Sequence, residues 1–163
     1  MKRQSGSATI ETALFLPVMM LLIVGMVQFG KITYTYYALR NAVYTAARYL
    51  SLQRGTNFCD PADPNITAAV NFATTGTTDA SGALLVSNLT PDMLQVTTEC
   101  LVNGAVSTCD LSGCAVSPSL AARPDYIAVN IPGGYTVTPR LPFTTLLPIS
   151  FSPSALVPFG GTQ

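Results

Sequence analysis

No histidine occurs anywhere in the 163 residues, which removes the commonest general base, the usual proton shuttle and the preferred nitrogen ligand of zinc. Hydrolase arrangements built around an imidazole are thereby excluded. Charge is scarce as well: charged residues make up 10% of the chain against 48% hydrophobic, well short of a soluble domain's usual share. Some apolar surface is therefore expected to face lipid or another subunit. The basic residues are scattered and the formal net charge is zero, so the electrostatic footprint that nucleic-acid binding requires is missing. Nucleic acid is not an expected partner. The four cysteines, Cys59, Cys100, Cys109 and Cys114, include no CxxC pair, which argues against a zinc or dithiol redox site. No metal and no cofactor are expected.

What the chain does have is one long apolar run. Thr12 to Gly30 are nineteen consecutive uncharged residues, and at about 1.5 Å per helical residue they span roughly 28 Å, close to the hydrocarbon thickness of a bilayer. Lys2 and Arg3 precede the run, so the positive-inside rule keeps the first residues cytoplasmic and places the bulk of the chain outside. A cleavable signal peptide is the alternative, but the A-x-A pattern is missing where Gln28-Phe29-Gly30-Lys31 stands, and helix-forming sequence continues without interruption.

The helix is expected to run on. Ile32, Tyr36, Leu39, Val43, Ala46 or Ala47, and Leu50 recur at alternating steps of four and three, a stripe of helical period. Ala38, Ala42 and Ala46 lie at i, i+4 steps on another face, small residues that let helices approach closely. Gly55 supplies the stop. From Ser7 to Arg54 a continuous helix would be roughly 72 Å long, far more than a bilayer needs, so half of it must project outside. Pro17 interrupts the apolar half and predicts a kink there. Tyr34, Tyr36, Tyr37, Tyr44 and Tyr49 crowd the outer half, as packing and interface tyrosines do.

A carboxylate, Glu11, stands at the head of the apolar run, five residues after Gly6. Gly6, Ser7 and Glu11 followed by an apolar stretch resemble a type IV prepilin, in which a membrane aspartyl peptidase cuts a short basic leader after the glycine. More closely, GSATIETALFLPVMMLLIVGMVQFGK with the downstream NAVYTAARYL is similar to the TadE-like family, minor pilins or pseudopilins of tight-adherence (type IVc) pili, over about residues 6 to 50, with Leu16-Pro17 and Ala46-Ala47-Arg48 as supporting detail. The resemblance implies a leader of residues 1–6, cleavage between Gly6 and Ser7, and a registry role for Glu11, whose buried charge would be met by the new amine of a neighbouring subunit. It also implies the partners: other pilin subunits, the prepilin peptidase, the inner-membrane assembly platform, and the lipid bilayer before assembly. Two departures bear on the role. Major pilins of this class usually carry tyrosine after the glutamate and are much shorter, whereas Thr12 stands here and 109 residues follow Arg54.

Beyond the helix, eleven of the twelve prolines lie after residue 60, which reads as a loop-rich domain, residues 55–163, with short strands. Asp63 and Pro64 are placed to cap and open a second helix, Asn65 to about Thr74, ended before Gly76, with Ile66, Ala69, Val70 and Ala73 on its apolar face. Met93 to Val102 and Ala105 to Leu111 flank Asn103-Gly104, the strongest hairpin signal present. Asp125 to Ile131 alternates, with Ile127, Val129 and Ile131 on one face, and Gly133-Gly134 permits a turn before a strand at Tyr135 to Thr138. The fold class expected is α+β: a long amino-terminal helix whose outer half carries a small antiparallel sheet. An even cysteine count in an exported chain suggests two disulfides. In the register set by Asn103-Gly104, Cys100 faces Ser107 and Cys109 faces Thr98, so no cysteine lies directly opposite another; Cys59–Cys100 and Cys109–Cys114 are the pairs expected. Asp60 and Asp63 offer oxygens to calcium, but aspartates beside prolines serve turns and caps far more often. Asn65-Ile66-Thr67 and Asn88-Leu89-Thr90 match the glycan acceptor pattern, a short pattern that also arises by chance.

These features point to a noncatalytic structural subunit, inserted once in the inner membrane with its carboxyl domain outside and carried to the pilus or cell surface on assembly. A minor or initiating subunit is the first expectation and a filament-forming major subunit the second. A membrane-anchored extracellular binding domain, which needs no leader cleavage, is the alternative from another class; a secreted enzyme would need a catalytic set that is not found.

Overall fold

A computed structural model of the chain describes residues 5–109, 124–141 and 144–160. Its first element is the long helix α1, Ser5–Leu52, which runs without interruption through Pro17 and stops two residues before the expected Arg54. The last turn closes with Gln53 N–H donating to the Leu50 carbonyl, and Gly55 then takes φ +76°, the left-handed region that glycine enters without a steric penalty. Among the described residues a second helix, α2 (Pro64–Thr75), and eight strands follow: β1 (Gln95–Val102), β2 (Ala105–Thr108), β3 (Tyr126–Asn130), β4 (Tyr135–Val137), β5 (Arg140–Leu141), β6 (Thr144–Thr145), β7 (Ile149–Phe151) and β8 (Ser154–Pro158). The α+β architecture expected from the sequence is the one found. By its internal packing the chain divides into two units, residues 1–35 with 136–149 and residues 36–135 with 150–163.

The larger unit holds the core. Its sheet is antiparallel with strand order β2-β1-β3-β8. The expected alternation in β3 is realised: Ile127 and Val129 are fully buried and Ile131 nearly so, while Tyr126, Ala128 and Asn130 are half-buried. Along α1 the stripe of helical period is buried from Leu39 onward, with Leu39, Val43, Ala46, Ala47 and Leu50 all inaccessible. Before that point it opens out. Ile32 is half-buried and Tyr36 exposed, the Tyr36 ring lying against Tyr37 and Phe151 instead. Ala42 and Ala46 do not form a face of their own, since both are buried in this core beside Val43 and Ala47, with Ala38 half-buried.

Helix α2 forms where the local signals place it. The Asp63 carboxylate accepts from the Asn65 N–H at 2.8 Å and, with its other oxygen, from the Asn57 N–H at 3.0 Å, Pro64 takes the first turn, and Gly76 ends the helix at φ +77°. Ile66, Ala69, Val70 and Ala73 are buried, as the apolar spacing requires, and Phe72 packs against Tyr49 of α1. Buried hydroxyls close their own hydrogen bonds, Thr74 on the Val70 carbonyl and Ser51 on that of Arg48, as burial of a polar group demands. Farther on, Val86 and Leu89 anchor the connection to the 3-10 turn Pro91–Met93, and the Tyr135 hydroxyl donates to the Ser87 carbonyl.

The hairpin of β1 and β2 keeps the expected register, Val102 opposite Ala105 and Cys100 opposite Ser107, with Asn103 and Gly104 both at positive φ as a type I′ turn needs. The cysteine pairing expected from it is wrong. Cys100 is bonded to Cys109, with Cα atoms 4.9 Å apart, so Cys59 does not pair with Cys100. In this register Cys109 follows β2 opposite Thr98 and donates its N–H to the Thr98 carbonyl, which puts it on the same face as Cys100, two residues along. That is a diagonal neighbour, and a diagonal is within reach of a side chain even where no residue stands directly opposite. Cys59 is itself disulfide-bonded; Cys114 and the end of the expected second strand at Leu111 lie outside the described residues. Local sequence signals do not single out the strands from β5 to β8. β8 lies on the edge of the sheet, pairing Tyr126 with Pro158 and Asn130 with Ser154, and a proline is tolerated there because no further strand asks for its missing N–H.

In the smaller unit, β5 and β6 pair as a short hairpin, Arg140 with Thr145 and Leu141 with Thr144, extended by the Leu146 N–H donating to the Pro139 carbonyl. The Gln28 side-chain amide donates to the Arg140 carbonyl at 2.6 Å, fastening this hairpin to the helix.

Candidate membrane and assembly helix

Every large apolar side chain between Ile10 and Phe29 is exposed except Val24, which is half-buried. Leu14, Phe15, Leu16, Met19, Met20, Leu22 and Met26 project on all sides of α1, so this is no amphipathic helix with one face spared for a core. Nor is an added Cβ at Gly25 or Gly30 met by any neighbouring atom. A helix apolar all round must be covered by something other than its own fold. It is long enough and apolar enough to cross a membrane once, and helical pairing satisfies its backbone as a spanning segment requires, except that Pro17 has no N–H to offer the Ala13 carbonyl.

Glu11 is exposed at the head of this surface, one helical turn after Ser7. Gly6 and Ser7 both fall within α1. The carboxylate therefore sits where hydrocarbon or another subunit would cover it, and an ionised group so covered needs a cationic or hydrogen-bonding partner. Pro17 lies two turns further on, inside the apolar part.

The other candidate residues are placed away from this surface. Of the helical tyrosines, Tyr34, Tyr37 and Tyr44 are exposed while Tyr49 stacks on Phe72. Asp60 accepts from the Ala62 N–H and Asp63 caps α2, so both serve turns. Among the described residues no group of three or more acidic, cysteine or histidine side chains is arranged to hold a metal ion. Asn65 and Asn88, the two glycan-pattern asparagines, fall in the first turn of α2 and at a left-handed turn position, φ 62°. What the sequence reading passed over is Gln28 with Arg140. Their contact joins residues 112 apart, and neither residue type nor spacing announces it.

Comparison with curated proteins finds no match, and neither does comparison with solved structures. Comparison with protein families does: residues 6–48 match the family described as TadE-like protein. The match begins at Gly6, takes in Glu11, Pro17 and the whole apolar run, and ends at Arg48 inside the buried half of α1, so the long helix of this chain carries a TadE-like segment.

Proposed function

We propose that the chain is a noncatalytic, pilin-like subunit of a tight-adherence pilus, made as a prepilin, held in the inner membrane by residues 12–30 with its outer domain on the far side, and drawn into the filament or its initiating complex through α1. The observation that carries this reading is the exposed apolar helix with Glu11 at its head, five residues after Gly6, inside the segment that matches the TadE-like family. Before assembly the lipid bilayer covers the helix; afterwards neighbouring subunits do. Glu11 makes the second state specific. The amine freed at Ser7 carries a positive charge, and a subunit in register sets it beside a neighbour's Glu11, whereas a subunit out of register leaves two charges unpaired in an apolar surround, a cost of several kcal/mol. The length of the outer domain, and Thr12 where major pilins of this class usually carry tyrosine, favour a minor or initiating subunit over the filament-forming one.

The reading is tested at the mature amino terminus. Intact-mass analysis of material from a host with a prepilin peptidase should show loss of Met1 to Gly6, leaving Ser7 first, and Gly6→Ala should retain the leader. A chain that still begins at Met1 in such a host would favour a membrane-anchored binding domain instead.

A further inference from the structure

The most exposed large hydrophobic side chain among the described residues is not on the apolar helix but on the β5–β6 hairpin's exit: Leu147 is 86% exposed and its neighbour Leu146 48%. The surrounding contacts say where these leucines stand. Gln28, in the last turn of the apolar run, donates to the Arg140 carbonyl. Arg140 pairs with Thr145, and the Leu146 N–H donates to the Pro139 carbonyl. The leucine pair is therefore one cross-strand step from the residue that touches the end of the run. Its companions at this level have the composition of a membrane boundary. Lys31 and Tyr34 follow on the next turns of α1 and are exposed, as is Arg140. Tyrosine and long cationic side chains concentrate at bilayer interfaces because each has an apolar body and a polar tip.

From this placement we infer that the β5–β6 hairpin is a second lipid contact: Leu146 and Leu147 dip into the headgroup and upper acyl region of the leaflet at which α1 leaves the bilayer, and Lys31 and Arg140 meet the lipid phosphates. The inference rests on the reading of residues 12–30 as a membrane span. The occupant is lipid because the hairpin is fastened to the end of a segment that lipid surrounds, so a bilayer at that level reaches the leucines without any rearrangement. Two leucines are too little to anchor a protein, since even a single fatty acyl chain holds a protein only reversibly. Their effect is on the depth and tilt of the helix, which interfacial anchors set.

The chain contains no tryptophan, so a single introduced one reports alone. Leu147→Trp, Phe15→Trp and Leu85→Trp in the full chain would each be reconstituted into phosphatidylethanolamine–phosphatidylglycerol vesicles carrying a nitroxide either near the glycerol end or near the methyl end of the acyl chain. Leu147→Trp should emit to the blue of its emission in denaturant and lose about half of its intensity to the shallow nitroxide and far less to the deep one, as expected for a group buried at the headgroup and acyl boundary. Leu85→Trp, on the outer domain, should respond to acrylamide and to neither lipid. If Phe15→Trp is quenched by lipid while Leu147→Trp stays water-like, or is blue-shifted but indifferent to both nitroxides because protein covers it, the hairpin contact is overturned and the span stands. If Phe15→Trp is also indifferent to lipid, the span and the inference fall together.

Discussion

At the scale of single residues, the side chains with the clearest meaning are those whose chemistry conflicts with their surroundings. Glu11 is the case in point: a carboxylate at the head of an exposed apolar helix is costly wherever water is excluded and no partner stands near. Replacing it with valine makes the segment more apolar and should leave membrane insertion intact. In the proposed assembly it removes the partner of the neighbour's amine, so incorporation into a sheared pilus fraction should fall at least tenfold, on the order of the 1.4 kcal/mol per decade that losing even one charge-assisted hydrogen bond supplies. Equal incorporation of Glu11→Val and wild type would mean that the glutamate rests among headgroups with no registry role. Asp63 shows a quieter version of the same logic. It is buried, yet both carboxylate oxygens accept backbone N–H groups, so the conflict is resolved inside the fold and the residue reads as a cap. The Asp-Pro pair made that cap legible in advance, as the residues from Gly6 onward made the TadE-like segment legible, because in each the information lies in consecutive residues.

Elements follow the same rule with one instructive failure. α2, the β1–β2 turn and the buried face of β3 were all readable, since capping, turn chemistry and period-two alternation are local properties. β5 to β8 were not: β5 and β6 are two residues each, too short to show a period, and β8 takes its strand character from pairing with β3, chain far away. The disulfide failed for a different reason. The hairpin register was right, and the error lay in asking only which residues stand directly opposite, when a diagonal pair on one face also brings Cβ atoms within reach. The observed pairing changes the stability expectation. Cys100–Cys109 closes a loop of sequence separation 9, for which the chain-entropy account gives about 2–3 kcal/mol. Cys100→Ser with Cys109→Ser should lower the unfolding free energy by that amount, read as a fall in the urea midpoint, and nonreducing peptide mapping of the wild-type chain should recover Cys100 joined to Cys109. Recovery of Cys59 joined to Cys100 would reverse the assignment.

Taken as a whole, the molecule keeps apart the residues that hold it folded and those of a helix apolar enough to cross a membrane. Every buried side chain among the described residues lies at Leu39 or beyond, while the continuous run of exposed apolar side chains on α1 lies between Ile10 and Phe29. The exposed run therefore supplies none of the buried side chains of that core. The Gln28 to Arg140 hydrogen bond ties the end of the run to a later part of the chain, and being exposed it is worth about 1 kcal/mol. A chain beginning at Lys31 should accordingly be recovered in the soluble fraction and, in the same detergent buffer, should unfold cooperatively within about 5 °C of the full chain, the shift that a loss near 1 kcal/mol produces in a domain of this size. Leu146 and Leu147 remain on that shortened chain, but their combined burial is too small to hold it on vesicles, so it should float free of lipid while the full chain does not. Aggregation of the shortened chain, or loss of its cooperative transition, would show that residues before Lys31 support the outer domain after all, and that the apolar helix belongs to the fold as well as to the membrane.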